Sequence, residues 1–191
     1  MENTQIDETK RPGRVVKSVL EWAEEMVWAV VIIAVVFTFF ARIITVVGGS
    51  MLPNYTDGSR VLVVNTPFGV KQGDVVVITN VLDDPIIKRV IATEGQVVRF
   101  DYNLNAVLVD GQVVDETRFG LENGITEPPY TSQPLLEFPQ QVPEGCVFVL
   151  GDNRKVSEDS RYQAVGMVDK RNVLGKAVFF LFPFGKIGPA P

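Results

Sequence analysis

The fold class this sequence predicts is all-β: a mostly antiparallel sandwich or open barrel that follows one N-terminal transmembrane helix. Three observations carry that expectation. Residues 26–41 contain no charged side chain, and the apolar run resumes after Arg42 as far as Val47. Beyond Gly48 the chain breaks into short runs rich in Val, Ile and Phe, separated by Gly, Pro, Asn and Asp, the pattern of strands and turns. No apolar period of 3.6 residues recurs over a useful length after that point.

The elements follow in chain order. Residues 1–20 are polar and read as a cytoplasmic tail, because Lys10, Arg11, Arg14 and Lys17 put positive charge before the apolar segment. Residues 21–47 read as the transmembrane anchor, close to the roughly 20 residues a hydrocarbon core requires. Trp22 and Trp28 lie at one end as interfacial aromatics do, and Arg42 at the other, where its stem can snorkel to the surface. A cleaved leader would need a shorter apolar region and a small-x-small cleavage site. A buried helix of a soluble domain would be apolar on one stripe, not on every face. Residues 48–191 form the expected extracytoplasmic catalytic domain. Strands are expected at 60–64, 75–79, 86–93, 97–100, 106–109, 113–114, 146–150 and 177–181. Turns are expected at Lys71-Gln72-Gly73-Asp74 and at Asp110-Gly111, the latter a hairpin signal. Residues 115–143, rich in Pro, Gly, Glu and Thr, read as an irregular excursion.

Composition narrows the chemistry. With 191 residues, 46% of them hydrophobic, the chain can bury a substantial core. A net charge of −5 argues against nucleic acid as a partner. The single cysteine, Cys146, forms no intrachain disulfide and reads as a small apolar core residue. There is no histidine, which removes the Ser-His-Asp triad, the Cys-His pair and the H-E-x-x-H zinc helix together. A serine nucleophile here must therefore use a lysine or a carboxylate as its base.

Three stretches could supply that chemistry. In Gly48-Gly49-Ser50-Met51-Leu52-Pro53, the glycines permit close backbone approach and Pro53 stiffens the exit, so the N–H groups of Gly48, Gly49 and Ser50 are candidates for an oxyanion hole. The same residues are also ordinary loop formers. Lys88, in Ile86-Ile87-Lys88-Arg89-Val90-Ile91, faces either core or solvent. If it is buried, desolvation lowers its pKa and the adjacent Arg89 pushes the same way. Such an amine could take the Ser50 proton and pass it to a leaving group. Finally, the stretch from Gly151 to Arg161 holds Asp152, Asn153, Arg154, Ser157, Asp159, Ser160 and Arg161. That density of polar groups behind an apolar strand suggests a structured network in which Asp159 and Arg161 pair with each other or with neighbours.

These blocks, with Gly73-Asp74-Val75-Val76 between the first two and Gly175-Lys176-Ala177 at the end, resemble in kind and order the type I signal peptidases of bacteria, in their single-anchor Gram-positive arrangement. The resemblance implies Ser50 as nucleophile and Lys88 as general base. It further implies that Ser157 orients the lysine amine, with Asp159, Arg161 and Asp152 supporting the site. It implies no cofactor and no metal, and as partners it implies the lipid bilayer and secretory preproteins with small residues before the cut. The implied activity is removal of signal peptides at the outer face of the plasma membrane.

Three departures stand out. Gly48 occupies a position where some members carry a serine that helps the oxyanion hole. Ala92-Thr93-Glu94-Gly95-Gln96 replaces a frequent Gly-x-Pro-Gly-Asp turn. The link from Tyr162 to Gly166 is longer than usual. Another Ser-Lys maturation peptidase, or a catalytically dead anchored β-module that only binds partners, are the competing readings. Penicillin-recognising S-x-x-K is absent, and G-x-S-x-G fails at Leu52.

Overall fold

The structure is a computed structural model that describes residues 12–65 and 69–191. Helix α1 spans Pro12–Phe39. It opens on proline, whose fixed φ and missing N–H suit a first helical turn. Consecutive side chains Val30, Val31, Ile32 and Ile33 are all largely exposed, so the uncharged half of the helix, residues 26–39, presents apolar side chains on successive faces. Among the described residues, no helix is long and apolar enough to cross a membrane. Of the expected 1–20 tail, residues 1–11 lie outside the described residues and the remainder is helical. The stretch 21–47 takes two forms. It is helical to Phe39 and then becomes a strand, Ala41–Thr45, because the β-branched run Ile43-Ile44-Thr45 finds a pairing partner. The helix forms one compact unit and Ala41–Pro191 the other.

The second unit is all-β and mostly antiparallel. Its strands are β1 (Ala41–Thr45), β2 (Arg60–Val64), β3 (Val75–Ile78), β4 (Ile86–Thr93), β5 (Val97–Asp101), β6 (Ala106–Val109), β7 (Gln112–Val113), β8 (Gln140–Gln141), β9 (Cys146–Leu150), β10 (Val168–Asp169), β11 (Val173–Phe182) and β12 (Gly188–Pro189). One sheet runs β1-β2-β11-β3-β4-β9-β10, with β12 also on β11, and a smaller one runs β7-β6-β5-β8. Val109 pairs with Gln112 across Asp110-Gly111, and both turn residues have positive φ (51° and 78°), as a two-residue type I′ hairpin requires.

The two sheets face each other through Ile91, Phe148 and Leu150 on one side and Val98, Val107 and Val109 on the other. A second cluster lies under β1, β2, β3 and β11, where Val61, Val63, Val75 and Ala177 pack against Met51 and Tyr55. This cluster anchors the turn that follows Ser50. Strands β1, β8, β10 and β12 exceed the expected set. Each of the last three is two residues long, too short to leave a period in the sequence. Cys146 is half-buried at a strand start, packed on the edge of the first cluster, not the interior residue expected of it.

Candidate active site

Ser50 follows β1 by a short extended link, so its position is set by the β1–β2 ladder and by its own turn. Gly48 sits at φ +84°, a left-handed conformation in which a side chain would be strained. Met51 and Tyr55, both fully buried, pin the turn from below, with the Tyr55 N–H donating to the Met51 carbonyl at 2.9 Å. From the other side Asn153 holds it twice. Its backbone N–H donates to the Ser50 carbonyl at 3.0 Å and its Nδ2 to the Gly49 carbonyl at 3.1 Å.

Lys88 comes from the middle of β4, paired with Val76 of β3. It is 3% exposed, and its Nζ donates to Ser50 Oγ at 2.9 Å. Burial pulls its pKa down from the ordinary lysine value, opposed by the carboxylates of Asp159, Glu158 and Asp152. The expected push from Arg89 is not among the causes. Neighbouring residues of a strand point to opposite faces, and Arg89 reaches away to Asp152, Nε to Oδ1 and Nη2 to Oδ2, each at 2.7 Å.

The polar loop expected behind β9 is a buried network. Gly151 has no room for a side chain: a Cβ there would lie 2.1 Å from Ser157 Oγ and 2.5 Å from the Ser50 carbonyl oxygen. The Gly151 N–H donates to Asp159 Oδ2 at 3.1 Å, and Arg161 grips both Asp159 oxygens, Nε at 2.8 Å and Nη2 at 3.0 Å. The Asp159–Arg161 pair thus forms as the sequence suggested, and Asp152 joins through Arg89. Ser157 is fully buried beside Gly151, yet its hydroxyl has no hydrogen-bond partner among the described residues. The implied bond to the lysine amine is not made here. The oxyanion expectation also needs correcting at one position, since the Gly48 N–H already donates to Asp57 Oδ1 at 2.8 Å. Among the described residues, no hydrogen bond engages the N–H of Gly49 or Ser50.

Four contributors lay outside the sequence-predicted set. Asn153 clamps the serine turn. Asn54 Nδ2 donates to Asp152 Oδ2 and to the Phe119 carbonyl, both at 2.8 Å. Arg154 binds both carboxylate oxygens of the buried Glu116 and also donates to the Gly151 carbonyl at 3.0 Å. Asn153 and Arg154 sat within the polar-loop signal. Asn54 and Glu116 had none, since their partners are 98 and 38 residues away.

Beside the dyad lies a cleft of about 490 Å³, lined by Ile44, Val46, Val77, Ile87 and Leu174 along with Ser50 and Lys88. A serine hydroxyl bonded to a desolvated amine, at the mouth of an apolar cleft and next to two unengaged N–H groups, has the parts for acyl transfer: a nucleophile, a base, and donors for a developing oxyanion. Among the described residues, no group of acidic or thiol side chains is arranged to hold a metal ion.

The chain is similar to known proteins. Residues 19–182 match the family described as signal peptidase, peptidase S26. The chain is 33% identical over 181 residues to signal peptidase IB of Staphylococcus aureus, covering 89% of this chain and 93% of the relative. It is 34% identical over 177 residues to signal peptidase I of Bacillus licheniformis, covering 89% and 92%. A crystal structure of a signal peptidase I from Enterococcus faecalis aligns with a TM-score of 0.42 at 22% identity, over 58% of this chain and 98% of that one.

Proposed function

Because the chain belongs to the signal peptidase family, peptidase S26, a family of serine endopeptidases, we propose that it removes signal peptides from secretory preproteins by a Ser50–Lys88 dyad. The observation that carries the dyad is the 2.9 Å contact between Lys88 Nζ and Ser50 Oγ inside an apolar setting. With the amine neutral, Lys88 takes the hydroxyl proton as Ser50 Oγ attacks the scissile carbonyl. The ammonium so formed is stabilised by the carboxylates of Asp159, Glu158 and Asp152, which favour the charged lysine. It then gives the proton to the departing amine, and water repeats the cycle on the acyl-enzyme. The free N–H groups of Gly49 and Ser50 are the candidate donors to the oxyanion. Asp152, Asp159 and Arg161 keep the loop rigid beneath Ser50.

The apolar cleft on the β1 side takes the residues before the cut. Its lining of branched aliphatics, Ile44, Val46, Val77, Ile87 and Leu174, suits small apolar side chains there. Attachment at a membrane, with the β-unit on the extracytoplasmic side, belongs to the same proposal. It rests on α1, whose apolar side chains Val27, Trp28, Val30, Ile32, Ile33 and Phe37 are exposed. The uncharged helical stretch is roughly 20 Å long at 1.5 Å per residue, short of a hydrocarbon core of about 30 Å.

The deciding experiment incubates the purified full chain, in detergent, with a preprotein carrying its signal peptide. A single cut after the signal peptide is expected, and Ser50→Ala should leave the precursor whole. An alanine variant that still cuts at the wild-type rate removes Ser50 as nucleophile.

A further inference from the structure

The segment that carries Ser50 is a loop closed at its base. The β1–β2 ladder ends with Thr45 opposite Arg60, and backbone bonds carry the pairing one step further. The Val46 N–H donates to the Ser59 carbonyl at 2.8 Å, and the Gly58 N–H donates to the Val46 carbonyl at 2.9 Å. Beyond that step the two backbones part, as Gly48 turns away at φ +84°. A side chain then makes the next bond across the loop: the Gly48 N–H donates to Asp57 Oδ1 at 2.8 Å. Asp57 is exposed, lies outside the buried cluster beneath the turn, and does not line the cleft beside the dyad. It forms no ion pair among the described residues. Its carboxylate instead engages a backbone group two residues before the nucleophile.

We infer that Asp57 is a positioning residue that aims the N–H groups of Gly49 and Ser50 at the developing oxyanion. The inference rests on the peptidase reading above. A peptide unit is planar and trans, so its N–H and C=O point opposite ways. The unit joining Gly49 to Ser50 is held by its carbonyl, which accepts from Asn153 Nδ2 at 3.1 Å and from the Leu52 N–H at 3.3 Å. The Ser50 N–H therefore points away from Asn153. The unit joining Val47 to Gly48 is held by its N–H, on Asp57. Between these two fixed planes lies one more unit, joining Gly48 to Gly49, with glycine on both sides. Glycine has the widest backbone freedom of any residue, so this stretch owes its direction to its two anchors. Releasing Asp57 frees the Gly48 torsions, and with them the aim of both donors. Lys88 is held elsewhere, by the pairing of β4 with β3. Donors fixed before the reaction need no reorganisation when the charge develops.

The test compares the full-length wild type in detergent with Asp57→Ala and Asp57→Asn. Each is given a precursor peptide and two peptides that end at the cut, one in an aldehyde and one in an alcohol. Ser50 Oγ adds to the aldehyde carbon while its proton passes to Lys88, and the former carbonyl oxygen takes the place of the oxyanion. The alcohol cannot accept that addition and reports ground-state binding alone. Asp57→Ala should lower kcat by roughly ten- to hundredfold with KM little changed, the scale of a slightly misplaced catalytic group. It should weaken aldehyde binding by a similar factor and leave alcohol binding as it was. Asp57→Asn keeps an acceptor oxygen at the same reach, and solvent screens the charge it removes, so it should recover most of the rate and of the aldehyde affinity. Wild-type kcat in the alanine variant, or an asparagine variant as slow as alanine, would overturn the assignment. So would an equal loss of aldehyde and alcohol binding, which marks a merely structural role. Failure of the peptidase reading itself looks different, since the wild type would then cut no precursor and bind the aldehyde no better than the alcohol.

Discussion

Lys88 answers two opposing demands at once. To act as a base it must give up its proton more readily than an ordinary lysine, and burial pushes that way by disfavouring the ammonium. To stay folded, the protein must tolerate an amine in an apolar wall. The activity should rise with pH as Lys88 deprotonates, with a midpoint below the ordinary value of 10.5, measured as kcat/KM on a peptide substrate. Lys88→Arg keeps the charge but cannot deprotonate in that range, so it should be as inactive as Lys88→Ala. The stability consequence has a definite sign. The folded pKa lies below the unfolded one, so between the two the unfolded chain binds the extra proton and stability rises with pH. The cost is complete below the folded value and gone above 10.5. Denaturant titrations should therefore find Lys88→Met more stable than the wild type at neutral pH, with the difference shrinking as pH approaches that upper limit. Ser157→Ala should disturb stability little, since its hydroxyl has no partner to lose. A large loss of activity in that variant would point to a bond formed only during turnover.

At the scale of elements, the serine turn and the polar loop after β9 behave as one piece because Gly151 lets them touch. Adding a methyl group in Gly151→Ala would force its Cβ onto the Ser50 carbonyl oxygen at 2.5 Å and onto Ser157. Backbone on one side leaves little room to relax, so a destabilisation of about 1–3 kcal/mol is expected, with activity falling further than stability because Ser50 itself is displaced. The excursion is tied in by charge. Glu116→Ala leaves the Arg154 guanidinium, 2% exposed, without its carboxylate, and breaking one side of a buried pair costs about 3–5 kcal/mol. Thermal or chemical denaturation checks both, and Glu116→Gln, which keeps one acceptor oxygen, should fall between alanine and wild type.

The molecule as a whole consists of an apolar helix and a β-unit with its own core. The buried cluster that holds Met51 and Tyr55 draws its fully buried members from Val46 onward, with Ile44 of β1 packed against it. Residues 41–191 alone should therefore fold and cut a soluble peptide at close to the full-length rate. The same fragment should remain in the supernatant when phospholipid vesicles are sedimented, while the full chain sediments with them. Co-sedimentation of both forms to the same extent would move membrane attachment from α1 to the β-unit. In intact spheroplasts, added protease should digest the β-unit and spare an N-terminal tag.

The sequence by itself determined the all-β class and most strand positions, and it singled out Ser50 and Lys88 as candidates whose pairing the family resemblance alone implied. These follow from local rules: short apolar runs bounded by turn residues mark β2, β4, β6 and β9, Asp110-Gly111 marks its hairpin, and the absence of histidine leaves few bases to choose from. It also located the polar loop, because a dense run of hydrogen-bonding groups behind an apolar strand has to be satisfied internally. Only the tertiary structure decided which way each side chain faced. Lys88 and Arg89 are neighbours with the same charge, yet one meets Ser50 and the other Asp152, a choice made by which face of β4 packs against the serine turn. The end of the helix was likewise invisible, since Ile43 and Ile44 are as apolar as the residues before them and become a strand only because β2 offers a ladder. Asn54, Glu116 and the engaged Gly48 N–H belong to the same class. Their partners are distant in sequence, and a hydrogen bond closed across a fold has no local pattern from which to be read.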